Sequence, residues 1–340
     1  MKFLNKEILL RKTIDRAGES KIGENILCFT NGDNLDDLKK YAGEGVKYAL
    51  LGIPESIGIK ANFGRGGAER AWNCFLNSFL NMQSNRYVSG EEILCIGNIY
   101  TDELQAEADR LEYGSPDYFV QLRSLCSQLD DLIYPTIKKI IEAKLIPIII
   151  GGGHNNVFPI LKGICQVPRF KNGINCINCD AHADFRILEG RHSGNGFSYA
   201  FEHGYLKNYY VLGLHEDYNS ESTLQKLDAL PSVDYSIFEP SMDLEAEFQK
   251  ASNFFDNKKE PLGLELDLDS ICNMSASAFT PTGMTIEQAR HFITTFTTKH
   301  QPIYFHLSEG APTSQIHEQA YVGKALAYFV RDFIKAHNTI

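Results

Sequence analysis

The sequence predicts an α/β fold, a doubly wound domain on a mainly parallel sheet, and three observations carry that prediction. From about residue 45 onward, short apolar runs alternate with amphipathic segments, the pattern left by a parallel sheet with crossover helices. Eight such runs can be counted. The 340 residues show no internal repeat, low-complexity tract or interdomain linker, and 43% hydrophobic with 22% charged residues is ordinary globular composition.

Residues 1–44 are polar, with Gly18, Gly23, Gly32 and Gly43 as breaks, and a short helix is expected around Leu35 to Tyr41. They read as an N-terminal extension over the body. Residues 45–340 then read as a single doubly wound α/β domain. Its expected strands are Lys47 to Pro54, Glu92 to Ile99, Leu145 to Ile150, Ile174 to Cys179, Tyr209 to Leu214, Val233 to Phe238, Leu262 to Leu268 and Ile303 to Leu307. The clearest helices are Pro116 to Ala143 and Gln315 to Ala336, where Ala320, Val322, Ala325, Leu326, Phe329, Val330 and Phe333 recur at helical spacing.

Bulk properties exclude several classes of function. A net charge of -10 does not support a nucleic-acid footprint, which needs clustered Lys and Arg. No stretch of 18 apolar residues suggests a membrane span, and Lys6, Glu7, Arg11 and Lys12 interrupt any secretory h-region, so a cytoplasmic protein is expected. The eight cysteines form no compact framework. Cys176 and Cys179 make a C-x-x-C, but three residues apart on a strand they face opposite ways, which argues against a redox or zinc pair.

Open parallel sheets place ligands outside the carboxyl ends of their strands, and the polar residues gather there. The first strand leads to Glu55 and to Gly64-Arg65-Gly66-Gly67, which lacks nucleotide-binding spacing and reads as a mobile loop rather than a phosphate cradle. The third ends in Gly151-Gly152-Gly153-His154-Asn155-Asn156; glycines allow a tight turn that presents His154, with Asn155 or Asn156 placed to cap the next helix. The fourth runs into Asp180-Ala181-His182-Ala183-Asp184. Side chains two apart on a strand share a face, so Asp180, His182 and Asp184 are expected to converge. The same parity joins Asp267 and Asp269 on the seventh strand, with Glu265 deeper as a paired or supporting carboxylate.

The candidate metal ligands are thus His154, Asp180, His182, Asp184, Asp267 and Asp269. Six exceed the three protein ligands usual for a catalytic zinc. Four carboxylates would be neutralised by two divalent ions, and an oxygen-rich set with one imidazole per ion suits Mn²⁺. Two ions close together can share a water and lower its pKa.

In the same order, GGGH at 151–154, DAHAD at 180–184 and DLD at 267–269 resemble the metal signatures of the ureohydrolases, the group of arginase, agmatinase and formimidoylglutamase. The resemblance implies a three-layer α/β/α sandwich around an eight-stranded sheet, two Mn²⁺ per subunit, a small amidine or guanidine substrate and a homo-oligomer. It implies that His154, Asp180, Asp184 and Asp267 hold one manganese. His182 and Asp269 would hold the other, with Asp180 and Asp267 shared. A bridging hydroxide would attack the substrate carbon, Asp269 would orient it or pass its proton, His192 would shuttle protons near the mouth, and Glu309 would grip the cationic substrate nitrogen. His203, His215 and His306 are expected to be structural.

Within the group, Arg186 stands where arginases carry asparagine, and Ser193-Gly194-Asn195-Gly196-Phe197 resembles a formimidoylglutamase segment. Arg186, Ser193 and Asn195 are therefore expected to bind substrate, Arg186 by taking a carboxylate bidentately. The implied reaction is N-formimidoyl-L-glutamate plus water giving L-glutamate and formamide, with arginase, agmatinase or another guanidino-acid hydrolase as the alternative. Asn155 and Glu265 depart from the residues common in the family. A single-zinc deacetylase and a silent binding protein are competing readings, and the complete six-ligand set argues against both.

Overall fold

The computed structural model describes residues 1–30 and 32–339, so positions 31 and 340 of the two expected segments lie outside it. Among the described residues nine strands form one sheet: β1 (Lys2–Phe3), β2 (Tyr48–Gly52), β3 (Ile93–Asn98), β4 (Ile146–Ile150), β5 (Ile174–Cys179), β6 (Leu206–Leu214), β7 (Val233–Ile237), β8 (Leu262–Asp267) and β9 (Phe305–Ser308). Their order is β1-β3-β2-β4-β9-β8-β5-β6-β7, and only β1 pairs antiparallel. Eight strands coincide with the expected apolar runs. Apart from the half-buried edge strand β7, these strands are almost wholly buried on both faces, which is why they read as apolar runs.

The ninth strand lies within residues 1–44, the segment read as an N-terminal extension over the body, and joins it to the sheet. β1 pairs with β3, and Leu9, Ile22, Ile26, Leu38 and Tyr41 are buried in the two large cores. Lys6 ties this segment down by donating to the carbonyls of Glu24 and Ile26 at 2.7 and 2.9 Å. The short helix around Leu35 is present as a 3-10 turn, Leu35–Asp37, running into helix Leu38–Gly43.

Alternate side chains of each strand feed cores on opposite sides of the sheet, giving three layers. One core takes Leu50, Ile148, Ile150 and Leu266 with the helices Ala71–Phe79, Ile286–His300 and Ile316–His337. The other takes Ala49, Leu51, Ile149 and Val211 with the helices Tyr118–Glu142 and Val157–Cys165. Cys176 and Cys179 fall in different cores, as their spacing required, and all eight cysteines are free. No helix among the described residues is long and apolar enough to cross a membrane.

The strand order positions the site. The chain leaves β4 and re-enters the sheet at β5, three places away, and β9 and β8 later fill the gap. Loops distant in sequence thereby become neighbours at the carboxyl ends of β4, β9, β8 and β5. A crevice opens at such a switch point.

Candidate metal centre

The turn after β4 is set by glycine. Gly151 and Gly152 have φ of +87° and +75°, and a Cβ on Gly152 would lie 2.2 Å from Asn156 Nδ2. Buried Glu55 staples this turn: Oε1 accepts from the Gly153 N–H at 2.7 Å and from Asn156 Nδ2 at 2.8 Å, while Oε2 accepts from the Ile57 N–H at 2.6 Å. Asn155 and Asn156 do not cap the following helix; both turn their amides onto Glu55. The buried Glu55 carboxylate takes these amide donors as charge-assisted hydrogen bonds.

His154 Nδ1 lies 3.1 Å from Asp180 Oδ2, 3.1 Å from Asp184 Oδ2 and 3.0 Å from Asp267 Oδ2. A second set joins Asp180, His182 and Asp269, with His182 Nδ1 at 3.2 Å from Asp269 Oδ2 and 3.6 Å from Asp180 Oδ1. Asp180 alone belongs to both. Asp267 falls only in the first set, and its Oδ1 accepts from the Asp269 N–H at 2.8 Å.

The ligand atoms converge, but not by strand parity. β5 stops at Cys179, and Asp184 is carried back by a left-handed φ of +48°. β8 stops at Asp267, and Asp269 sits in the 3-10 turn Leu268–Ser270. Loop geometry brings the six side chains together.

Electrostatics shows that the cluster carries uncompensated negative charge. Three carboxylate oxygens around one ring nitrogen cannot all share its single proton, so some are left in mutual repulsion. Burial would raise Asp180, but His154 and His182 outweigh it and hold its carboxyl low. Burial, then Asp269 and Asp180, push Asp267 well above the usual carboxylate range, and burial lifts Asp269 to about 6 against the attraction of His182. Asp269 Oδ1 is buried without a partner. This donor set fits divalent cations, whose charge would remove the repulsion.

Behind His154, Glu265 Oε2 lies 3.4 Å from Nε2. It also stands 2.7 Å from His306 Nδ1, and Oε1 accepts from the Tyr304 hydroxyl at 2.7 Å. His306, which the sequence left unconnected to the metal set, thus supports it through Glu265. His215 lies behind His182 in a stack through Tyr218, with ring centroids 5.1 and 5.2 Å apart. For Nδ1 of His154 to act as a ligand its proton must sit on Nε2, facing Glu265. Glu265→Gln is therefore expected to weaken divalent-metal binding about 10- to 100-fold in a calorimetric titration. Unchanged affinity would remove Glu265 from the site.

A cavity of about 580 Å³ opens over the cluster, lined in part by His182, Asp184, Asp267, Asp269, Glu309, Arg186, Ser193 and Tyr218. Glu309 follows β9 with a φ of +62°, held by its N–H to the Gly152 carbonyl at 2.9 Å and by the His154 N–H to its Oε1 at 2.6 Å. Its Oε2 has no partner, and burial followed by Asp267 drives its carboxyl well up.

Two expected residues stand elsewhere. Asn195 is fully buried and spends its side chain on the Arg191 guanidinium, the His192 N–H and the carbonyls of Ile187 and Gly190. It shapes the loop and has nothing left for substrate. His192 is also fully buried and outside the cavity lining, next to Ser193, which lines it; burial, with Arg123 and Arg186 nearby, lowers it to about 4. Conversely, Asn62 and Arg65 line the cavity and were not singled out as site residues. Nor is their glycine-rich loop loose: the Gly67 N–H donates to Ser56 Oγ at 3.0 Å, and Arg65 Nη2 donates to the carbonyls of Ala276 and Ala311.

Fold and site together define an α/β protein with a candidate divalent-cation site at the carboxyl ends of a mainly parallel sheet. The chain belongs to the arginase family, whose model matches residues 49–331. It is 28% identical over 195 residues to formimidoylglutamases of Streptococcus pyogenes and Streptococcus gordonii, a match covering 55% of this chain and 52% of theirs. The chain thus spans about half the length of the curated relatives it matches. Among solved structures, Bacillus subtilis formimidoylglutamase superposes with a TM-score of 0.74 at 16% identity, over 95% of this chain and 93% of that one. Trypanosoma cruzi formiminoglutamase with Mn²⁺ gives 0.69 at 15% identity, over 93% and 98%. These likenesses establish the arginase-like fold.

Proposed function

We propose that this chain is a hydrolase that cleaves a C–N bond of a linear amidine, with N-formimidoyl-L-glutamate as substrate and L-glutamate and formamide as products. One observation carries the reading: a single cavity has an acidic floor that fits divalent cations and, on its wall, an arginine without a carboxylate partner. The names of the streptococcal relatives support the same substrate.

His154, Asp180, Asp184 and Asp267 would hold one Mn²⁺, and Asp180, His182 and Asp269 the other. Bound there, the ions supply Lewis-acid activation of water near neutral pH. Glu309 Oε2 takes the amidine N–H groups and fixes the carbon over the floor. Asp269 Oδ1 accepts the proton of the attacking water and returns it to the departing glutamate nitrogen as the C–N bond breaks. Arg186 grips a substrate carboxylate, held by its own Nη1 bond of 2.8 Å to Asn62 Oδ1, and Ser193 stands beside it at 3.3 Å from Asn62 Nδ2.

The test is a product assay on manganese-loaded protein with formimidoylglutamate, arginine, agmatine and guanidinobutyrate offered in parallel. Formamide and glutamate from the first alone are expected. Urea from any of the others would keep the metal chemistry and overturn the substrate.

A further inference from the structure

The cavity contains a second arginine that the reaction as described does not use. Arg65 and Arg186 are among the seven of twelve arginines with no carboxylate ion pair among the described residues, and these two line a cavity that also holds Asp184, Asp267, Asp269 and Glu309. Arg65 is nevertheless fixed. Its Nη2 donates to Ala276 O at 2.8 Å and Ala311 O at 2.7 Å, which leaves Nη1 and Nε uncommitted. Its loop is braced by the Gly64 N–H to Ile59 O at 2.9 Å and by Phe63 packing on Phe119 with centroids 4.0 Å apart. Three residues earlier, the same loop supplies Asn62, which holds Arg186. One segment therefore orients one guanidinium and provides the other.

We propose that Arg65 is a second carboxylate-binding group, so that this cavity selects amidines of dicarboxylic amino acids. The inference rests on the proposed function and deepens it. With the amidinium on the acidic floor, a substrate carrying two carboxylates meets two unpaired guanidiniums. A monocarboxylate would leave one of them without its anion. Pre-fixing Arg65 through backbone carbonyls lowers the ordering cost of that contact.

The experiment compares wild type, Arg65→Gln and Arg65→Lys on N-formimidoyl-L-glutamate, N-formimidoyl-L-glutamine and 4-(formimidoylamino)butyrate, the last two lacking one carboxylate each. Arg65→Gln is expected to raise KM for the dicarboxylate roughly 10- to 100-fold with kcat little changed, the loss of one charge-assisted contact. KM for one of the two monocarboxylates should stay unchanged, and Arg65→Lys should recover part of the loss. An equal fall in kcat on all three substrates, with a lowered Tm, would mean that Arg65 only fastens loops and would overturn the proposal. If wild type releases urea from a guanidino substrate and no formamide, the proposed function fails separately. Arg65 is then judged on inhibition of that reaction: glutarate inhibiting wild type but not Arg65→Gln, with butyrate equal on both, supports it, and equal inhibition by glutarate overturns it.

Discussion

Asp180→Ala is expected to empty both halves of the centre and abolish turnover. Its Oδ2 faces His154 Nδ1 at 3.1 Å, and its Oδ1 faces the His182 side at 3.6 Å while accepting the His182 N–H at 2.7 Å. No other side chain belongs to both ligand sets. Losing an outer partner of a metal ligand costs about 10- to 100-fold. Losing a carboxylate that serves two ions at once should cost far more, because each remaining set lacks both a donor and a charge. Asp180→Asn keeps an acceptor for the His182 N–H but not the charge, so it separates loop order from metal affinity; it too should be inactive. Metal content by mass spectrometry, with melting curves to show that the variants fold, gives the answer. About two Mn²⁺ per chain in Asp180→Ala would sink the assignment.

The residues that converge on the candidate site were legible in the sequence because carboxylates and imidazoles at the ends of apolar runs have few other reasons to be there. The reason given for their convergence was not: strand parity places Asp184 and Asp269 on a face, whereas a left-handed residue and a 3-10 turn place them. Backbone conformations of that kind leave no periodic trace. β1 escaped notice because two residues, Lys2–Phe3, carry no pattern, and their pairing with β3 spans about ninety residues of chain. Asn62 and Arg65 were missed for a related reason, since what defines them is contact with Arg186, Ala276 and Ala311. Asn195 illustrates the converse: its segment resembles a substrate-binding one, yet its side chain closes the loop on itself.

That loop depends on a buried ion pair, and breaking it is the second large effect expected. Arg191 and Asp130 are 4% and 3% exposed, with Nε to Oδ2 at 2.8 Å and Nη2 to Oδ1 at 3.2 Å. Arg191 also donates to Asn155 O at 2.7 Å and lies over the rings of Phe158 and Tyr199, so it bolts residues 187–196 to helix Tyr118–Glu142 and to the turn carrying His154. Asp130→Ala leaves a buried guanidinium uncompensated and should cost about 3–5 kcal/mol. In a chain of this size that lowers Tm by roughly 4–7 °C. Removing both charges, in Asp130→Leu with Arg191→Met, should cost less than the single change, because no ion is then left in the core. Activity separates the two roles of the pair. Gly194 O accepts the Arg186 N–H at 3.1 Å, so a loosened loop also releases Arg186 and should raise KM even where the protein remains folded. If Asp130→Ala lost under about 1 kcal/mol, or the double variant lost as much as the single one, desolvated charge would not be what holds this loop.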